Sequence, residues 1–349
     1  MSYSDRINLY TQIENRRECP LIVYATSIRS GMNSNMAGDV IAEFIKHIRL
    51  IPESENKADL LIISNGGDPI ASWRIMNILR ERFEEISVLI PFVAYSAATL
   101  LALGADEIIM HPYSNLGPVD PQIIAHKQTP DGPNRLHFGS EDIRNFIDFI
   151  RNDFGITDQE YVVQALGHLS DEVGVLPIGS AKRSNQLSVS LCEKMLMMHM
   201  KDQSKAQSIA KTLNSSYFHH GYAVGRKEAK EIGLNIALPD SELESLIWDV
   251  WEDISNEMKC EKNFDFISEI LEMDEFAFLL SAPPSGTIQI NNKITDVKVL
   301  GAILETKRAC SYRDEIFKIF AFRNPMDLNI RLNVTSSDIE WKIRFYNGA

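Results

Sequence analysis

Apolar residues in the first third of the chain fall in short runs, separated by stretches with helical spacing. Leu21–Tyr24 (LIVY) follows Pro20 without a polar break, as a strand buried on both faces requires. From Met36 to Ile48 apolar residues recur at 40, 41, 44, 45 and 48, which predicts a helix. Leu60–Ser64 (LLIIS) predicts a second strand, broken by Asn65-Gly66-Gly67. Ile70–Phe83, apolar at 70, 75, 78, 79 and 83, predicts a second helix. Val88–Ala94 reads as a third strand, Ala97–Ala105 as a helix of small residues and Glu107–Met110 as a fourth strand. Strand and helix alternate through these four strands, which predicts an α/β fold on a largely parallel sheet.

From Gly139 to Ile254 the spacing turns helical. It predicts helices over Glu141–Phe154, Asp158–His168, Ser184–His199, Ser204–Asn214, Arg226–Ile232 and Ser241–Met258. FDFISEILEMDEFAFLL after Lys259 continues that texture. Beyond Pro283-Pro284-Ser285-Gly286 the chain becomes strand-rich (TIQI, DVKVLGAIL, EIFKIFAF, LNIRLNV, EWKIRFY) with period-two alternation at 328, 330, 332 and 334. The expected division is an α/β domain with a helical lobe over residues 1–258 and a small, mostly β module over 259–349, the proline turn being the candidate linker.

Composition narrows the function classes. A chain of 349 residues, 44% hydrophobic and 24% charged, can bury a core. The net charge of -13 argues against a nucleic-acid binder and against a basic membrane-surface module. The four cysteines, Cys19, Cys192, Cys260 and Cys310, form no CxxC pair. They indicate neither a zinc site nor a disulfide framework, and fit a cytoplasmic protein. The polar N-terminal segment lacks an apolar signal-peptide core, and no run of about 18 apolar residues predicts a membrane span. No cofactor and no metal is called for, since HExxH and other ligand spacings are absent from the sequence.

Three segments carry candidate chemistry. Ser64-Asn65-Gly66-Gly67-Asp68-Pro69 joins a strand to a helix. Two glycines allow a sharp turn with uncovered N–H groups, which suits an oxyanion hole or a phosphate cradle. A plain strand-to-helix turn is the alternative. In Ala94-Tyr95-Ser96-Ala97-Ala98 a serine stands where a strand ends and a helix of small residues begins. It is either a nucleophile at an elbow or a helix N-cap. Pro112 to Gln122 reads as a turn-rich loop.

In this order and spacing, SNGGDP, AYSAATLLALGADEIIMHP and SNLGPVDPQI resemble the serine dehydrogenase proteinase family. That family belongs to the Clp protease/crotonase superfamily and is similar to signal peptide peptidase A. The segment from Tyr217 to Leu234, with Glu228-Ala229 and Gly233-Leu234, is similar to the family's closing helix, so the resemblance runs over roughly residues 20–250. It implies a Clp/crotonase-like spiral of βαβ units and a serine peptidase acting through an acyl-enzyme. Ser96 then matches the nucleophile, and Gly66 and Gly67 match the oxyanion turn, with the Ala97 N–H as second donor. Leu116 and Gly117 match the segment lining the substrate groove, and Asp106-Glu107 a structural signature. Two features depart from the pattern: Ala98 stands where glycine is common, and the membrane-anchoring helix of many members is missing. Implied partners are a peptide or protein substrate and further copies of the chain in a homo-oligomer, with no nucleic acid.

The serine needs a base, and relatives use a lysine or a histidine with aspartate. Lys182, in the Leu176–Arg183 segment with Pro177 and Gly179, matches the dyad lysine by order along the chain. Lys127 and His137 are the alternatives. His219 and His220 read as a packing or capping pair, and His111 as structural. Two other functions stay open: a crotonase-type acyl-CoA enzyme, and a non-catalytic peptide-binding scaffold.

Overall fold

A computed structural model of the chain describes residues 3–32, 34–129, 132–217, 219–281, 289–290, 294–324, 326–327 and 329–346. The expected proline-turn linker lies outside the described residues. Helix α1 (Tyr3–Arg17) precedes β1 (Leu21–Thr26), α2 (Ile41–Ile48), β2 (Lys57–Ile63), α3 (Pro69–Arg82) and β3 (Glu85–Ile90). Then come β4 (Val93–Ala94), α4 (Ala97–Ala102), β5 (Glu107–Met110), β6 (Asn115–Leu116), β7 (Gln122–Thr129) and β8 (Gly132–Gly139). The lobe holds α5 (Asp142–Asp148), α6 (Gln159–Val173), α7 (Val175–Leu196) and α8 (Gln203–Ser215). It is followed by β9 (Val224–Gly225), α9 (Arg226–Glu231), β10 (Ile236–Ala237), α10 (Ser241–Glu257) and α11 (Phe266–Leu271). The chain closes with β11 (Gln289–Ile290), β12 (Thr295–Thr306), β13 (Ala309–Arg323) and β14 (Ile330–Phe345).

The fold is α/β, as expected. Strands run β10-β5-β3-β2-β1 in parallel. Because strand side chains alternate, each apolar strand feeds two cores. Ile22, Tyr24, Leu60 and Ile62 pack on the face covered by α2, α3, α4, α7 and α8. Leu21, Val23, Leu61 and Ile63 pack on the opposite face, with residues of α1 and α10. The single strand expected over 88–94 is two: Pro91 interrupts it, β3 stays in the large sheet, and β4 leaves to pair with β6. That departure carries the chain toward the segment after Ala94 rather than on along the sheet.

The strands of residues 259–349 extend this same sheet. β12 pairs antiparallel with β1 from Val23↔Glu305 to Thr26↔Ala302, and β13 and β14 follow it. Residues 330–334 of LNIRLNV and 340–345 of EWKIRFY, expected in two strands, are continuous in β14. Side chains lock the join. His47 of α2 bonds Ser311 of β13 at 3.0 Å, and burial lowers its pKa to about 4, so the ring is neutral at pH 7. On the other face, buried Arg6 of α1 takes Glu305 of β12 through both oxygens at 2.7 and 3.0 Å. It also reaches Asp253 and Glu257 of α10 at 2.6 and 2.5 Å.

Removing one member of such a buried network leaves uncompensated charge. Arg6→Ala should therefore lower stability by about 3–5 kcal/mol, read from the urea unfolding midpoint. A midpoint unchanged from wild type would contradict the network's role in joining α1, α10 and β12.

Candidate active site

The turn after β2 is set against the turn after β4 by main-chain bonds. Ser64 N–H donates to Val93 O at 3.1 Å, and Tyr95 N–H to Ser64 O at 2.9 Å. These place Gly66-Gly67 beside Ser96. Gly66 has φ +99° and could carry no side chain: a Cβ there would stand 2.6 Å from Tyr95 O and 2.9 Å from Ala97 N. Its N–H is occupied by Ser64 Oγ at 3.0 Å. Gly67, at φ +145°, is paired alongside Met36, and a Cβ on it would fall 2.2 Å from Met36 O. The pairing uses Gly66 O and Asp68 N–H, each 2.8 Å from its Met36 partner, and leaves the Gly67 N–H out. Among the described residues neither the Gly67 nor the Ala97 N–H has a protein acceptor. Asp68 then caps α3 by accepting from Ile70 N–H at 2.8 Å, with Pro69 in the first turn.

Ser96 has φ 51° and ψ -116°, a sparsely populated conformation for a residue with a Cβ. Its side chain makes no capping bond to α4, so the N-cap alternative does not describe it. A strained serine at a sharp strand-to-helix turn is the geometry of a nucleophile elbow. The small neighbours Ala94, Ala97 and Ala98 are buried around it. Ala98, where glycine was anticipated, donates its N–H to Tyr95 O at 2.9 Å and fits without exposure.

Ser96 opens onto a cleft of about 520 Å³. Its wall includes Gly67, Ala97, Leu100, Val119, His137 and His220. His220 Nδ1 lies 2.7 Å from Asp120 Oδ1, and Asp120 is mostly buried. A carboxylate on Nδ1 fixes the tautomer with the lone pair on Nε2. Asp120 lies four residues past β6 and His220 four residues before β9, the two strands that pair at Asn115↔Gly225 and Leu116↔Val224.

The other expected site residues are placed differently. Lys182 is exposed on α7 and lines a separate cavity with Ile143, Ile147 and Ile178. Ser184, Leu187 and Ser188 of the same helix face the Ser96 cleft, and Lys182 precedes Ser184 by two residues, roughly 200° around the helix. Lys127 sits on β7 in an ion pair with Glu172 at 2.7 Å, away from the cleft wall. His137 is on β8 and does line the cleft. β7 and β8 form a β-hairpin. Leu116 is fully buried in β6, and Gly117 packs under the Tyr95 ring, where a Cβ would meet Cδ1 at 2.6 Å. Val119, Pro121 and Gln122, a few residues on, are the ones that reach the cleft. His111 stacks on Trp248 with ring centroids 4.7 Å apart, a packing role.

Residues 35–131 match the ClpP-like SDH-type serine proteinases. The span takes in Gly66-Gly67, the Ser96 elbow and Asp120. The resemblance read from the sequence therefore holds, and with it the Clp-like α/β order of strands and helices. Two curated relatives come from Methanocaldococcus jannaschii. The uncharacterized protein MJ1495 is 31% identical over 194 residues, 56% of this chain and 56% of its own length. The uncharacterized protein MJ0137 is 25% identical over 240 residues, 66% of this chain and 73% of its own length. Thus the chain spans little more than half of MJ1495. Among solved structures, a mutant of the membrane-bound stomatin-specific protease 1510-N aligns with a TM-score of 0.37 and 14% identity, over 65% of this chain and 85% of that one. ClpP1 from Listeria monocytogenes aligns with a TM-score of 0.34 and 12% identity, over 67% and 97%. Among the described residues no helix is long and apolar enough to cross a membrane, and no group of residues is placed to hold a metal ion.

The Gly67 contact makes a prediction about stability that does not depend on chemistry. Gly67→Ala must push its Cβ into the Met36 carbonyl, so it should destabilise the chain by about 1–3 kcal/mol in urea unfolding. Wild-type stability would mean that the Met36 pairing is looser than described.

Proposed function

We propose that the chain is a serine peptidase in which Ser96 is the nucleophile, His220 the general base and Asp120 its orienting carboxylate. Ser96 Oγ attacks the scissile carbonyl carbon as its proton passes to His220 Nε2. The carbonyl oxygen becomes an oxyanion, held by the N–H groups of Gly67 and Ala97. Collapse breaks the C–N bond, and the leaving amine takes the proton from His220. Water then attacks the acyl-enzyme with His220 again as base, releasing the acid and restoring Ser96.

The observation that carries this reading is the shared cleft: an uncapped, strained Ser96 and an acid-paired His220 line the same cavity. Gly66, expected as an oxyanion donor, serves in this proposal to shape the turn, because its N–H is already bonded to Ser64. His137 lines the cleft too, but among the described residues it has no acid partner. Lys182 is exposed on α7 and is not part of the cleft wall that holds Ser96.

Fluorophosphonate labelling with peptide mapping tests the assignment. Wild type should label at Ser96, and Ser96→Ala should not. Asp120→Asn should slow labelling by roughly 10⁴, and His220→Ala by more, up to about 10⁶, the scales seen when a triad's orienter or its base is lost. Lys182→Ala should label like wild type. Loss of labelling in Lys182→Ala, with His220→Ala unaffected, would replace this triad by a Ser–Lys dyad. A folded wild type that takes no label would favour the scaffold alternative.

A further inference from the structure

Residues 27–39, which carry Met36, are gripped by the C-terminal part of the chain. Ser27 N–H donates to Gly301 O at 2.7 Å, and Phe264 N–H to Ser30 O at 2.7 Å. Arg29 Nε donates to Lys262 O at 2.9 Å. Closer to Met36 the grip passes to side chains. Buried Ser34 donates to Glu315 Oε1 of β13 at 2.9 Å, and Arg313 Nη1 donates to the same oxygen at 3.2 Å. Arg313 Nε donates to Asp39 Oδ2 at 3.1 Å, and Trp341 Nε1 of β14 donates to that oxygen at 2.9 Å. Ser34 and Asp39 stand on either side of Met36, so both flanks are tied to β13 and β14. Gly301, at a bulge in β12, gives the cluster room: a Cβ there would lie 3.0 Å from Ser34 Oγ and 3.1 Å from Glu315 Oε1.

Met36 lies against Gly67 directly and is linked to Ala97 through Ser72. Its main chain pairs with Gly66 and Asp68, which aims the Gly67 N–H. Its sulfur lies 3.0 Å from Ser72 Oγ, which donates to Ala97 O at 2.6 Å. We propose that the C-terminal strands are a positioning element for the oxyanion site, acting through the Ser34–Glu315–Arg313–Asp39–Trp341 chain on Met36. The idea rests on the serine reading above and deepens it. It gives residues outside the 35–131 family match, those of β13 and β14, a part in setting the geometry of the reaction. Glu315, Arg313 and Trp341 touch no reacting atom. They act by fixing a loop whose displacement would swing one donor away from the oxyanion.

The test uses the full chain and a fluorophosphonate probe, with kinact and KI measured separately for labelling at Ser96. The phosphonyl oxygen calls on the oxyanion donors in the bond-forming step, so positioning appears in kinact. Glu315→Ala should lower kinact at least about tenfold and leave KI within about twofold. Glu315→Gln, whose amide oxygen can still accept from Ser34, should recover most of the rate. Ile319→Ala is the control for general loosening: it hollows the apolar cluster under β12 and β13, and should lower Tm without lowering kinact. Should Glu315→Ala fail to fold, Ser34→Ala breaks the same link without stranding an acid, and should lower kinact alone. Wild-type kinact in folded Glu315→Ala or Ser34→Ala overturns the proposal. So does a loss that Glu315→Gln does not repair, or that Ile319→Ala reproduces. A wild type that takes no label defeats the serine reading itself, and this inference with it.

Discussion

Two main-chain hydrogen bonds at Met36 hold the turn after β2 in a course that residues with a side chain could not take. Met36 N–H donates to Gly66 O, and Met36 O accepts from Asp68 N–H. Bonded on either side, Gly67 keeps its own N–H outside the pairing, and the close approach of Met36 O excludes any side chain. The same methionine packs against Ser72, which fixes the Ala97 carbonyl. One buried residue thus holds the turn that carries one of the proposed oxyanion donors and, through Ser72, contacts the residue that carries the other. Preorganised donors are effective because they need not move as charge develops. The rigidity around Met36 is therefore as relevant to the proposed chemistry as the serine.

The strain at Ser96 belongs to the same design. Its backbone conformation costs on the order of 1–3 kcal/mol, and the surrounding contacts must hold it. Ser64 bonds across to Val93 and Tyr95, Thr99 Oγ1 lies 2.6 Å from Ala94 O, and Gly117 accommodates the Tyr95 ring. Leu116 and Gly117 are thus better described as the floor under the elbow than as a wall of the groove.

Much of the α/β core was legible because its signals are local. Apolar runs, helical spacing and the Asn65-Gly66-Gly67 break are all written within a few residues of where they act. The Ser96 elbow was legible for the same reason. The Asp120–His220 pair was not, since it joins residues 100 positions apart, which no local pattern reveals. Order along the chain suggested Lys182 as a base, while its position on α7 puts it in a cavity other than that of Ser96. Helix α1 escaped the apolar pattern because half of its buried positions are charged, Arg6 and Glu14 beside Tyr10 and Ile13. The strand-rich pattern and the proline turn marked residues 259–349 as a small β module, but a local pattern cannot report strand pairing. In the fold β1 would be an open edge without β12, and covering that edge is what draws the C-terminal strands into the sheet.

A crystal structure of the chain phosphonylated by a fluorophosphonate probe tests the central claim most directly. The account predicts phosphorus bonded to Ser96 Oγ, with one phosphonyl oxygen within about 2.7–3.1 Å of both the Gly67 and Ala97 nitrogens. It also predicts Met36 still paired with Gly66 and Asp68. A phosphonyl oxygen directed away from those two N–H groups, or an adduct on another residue, would contradict it.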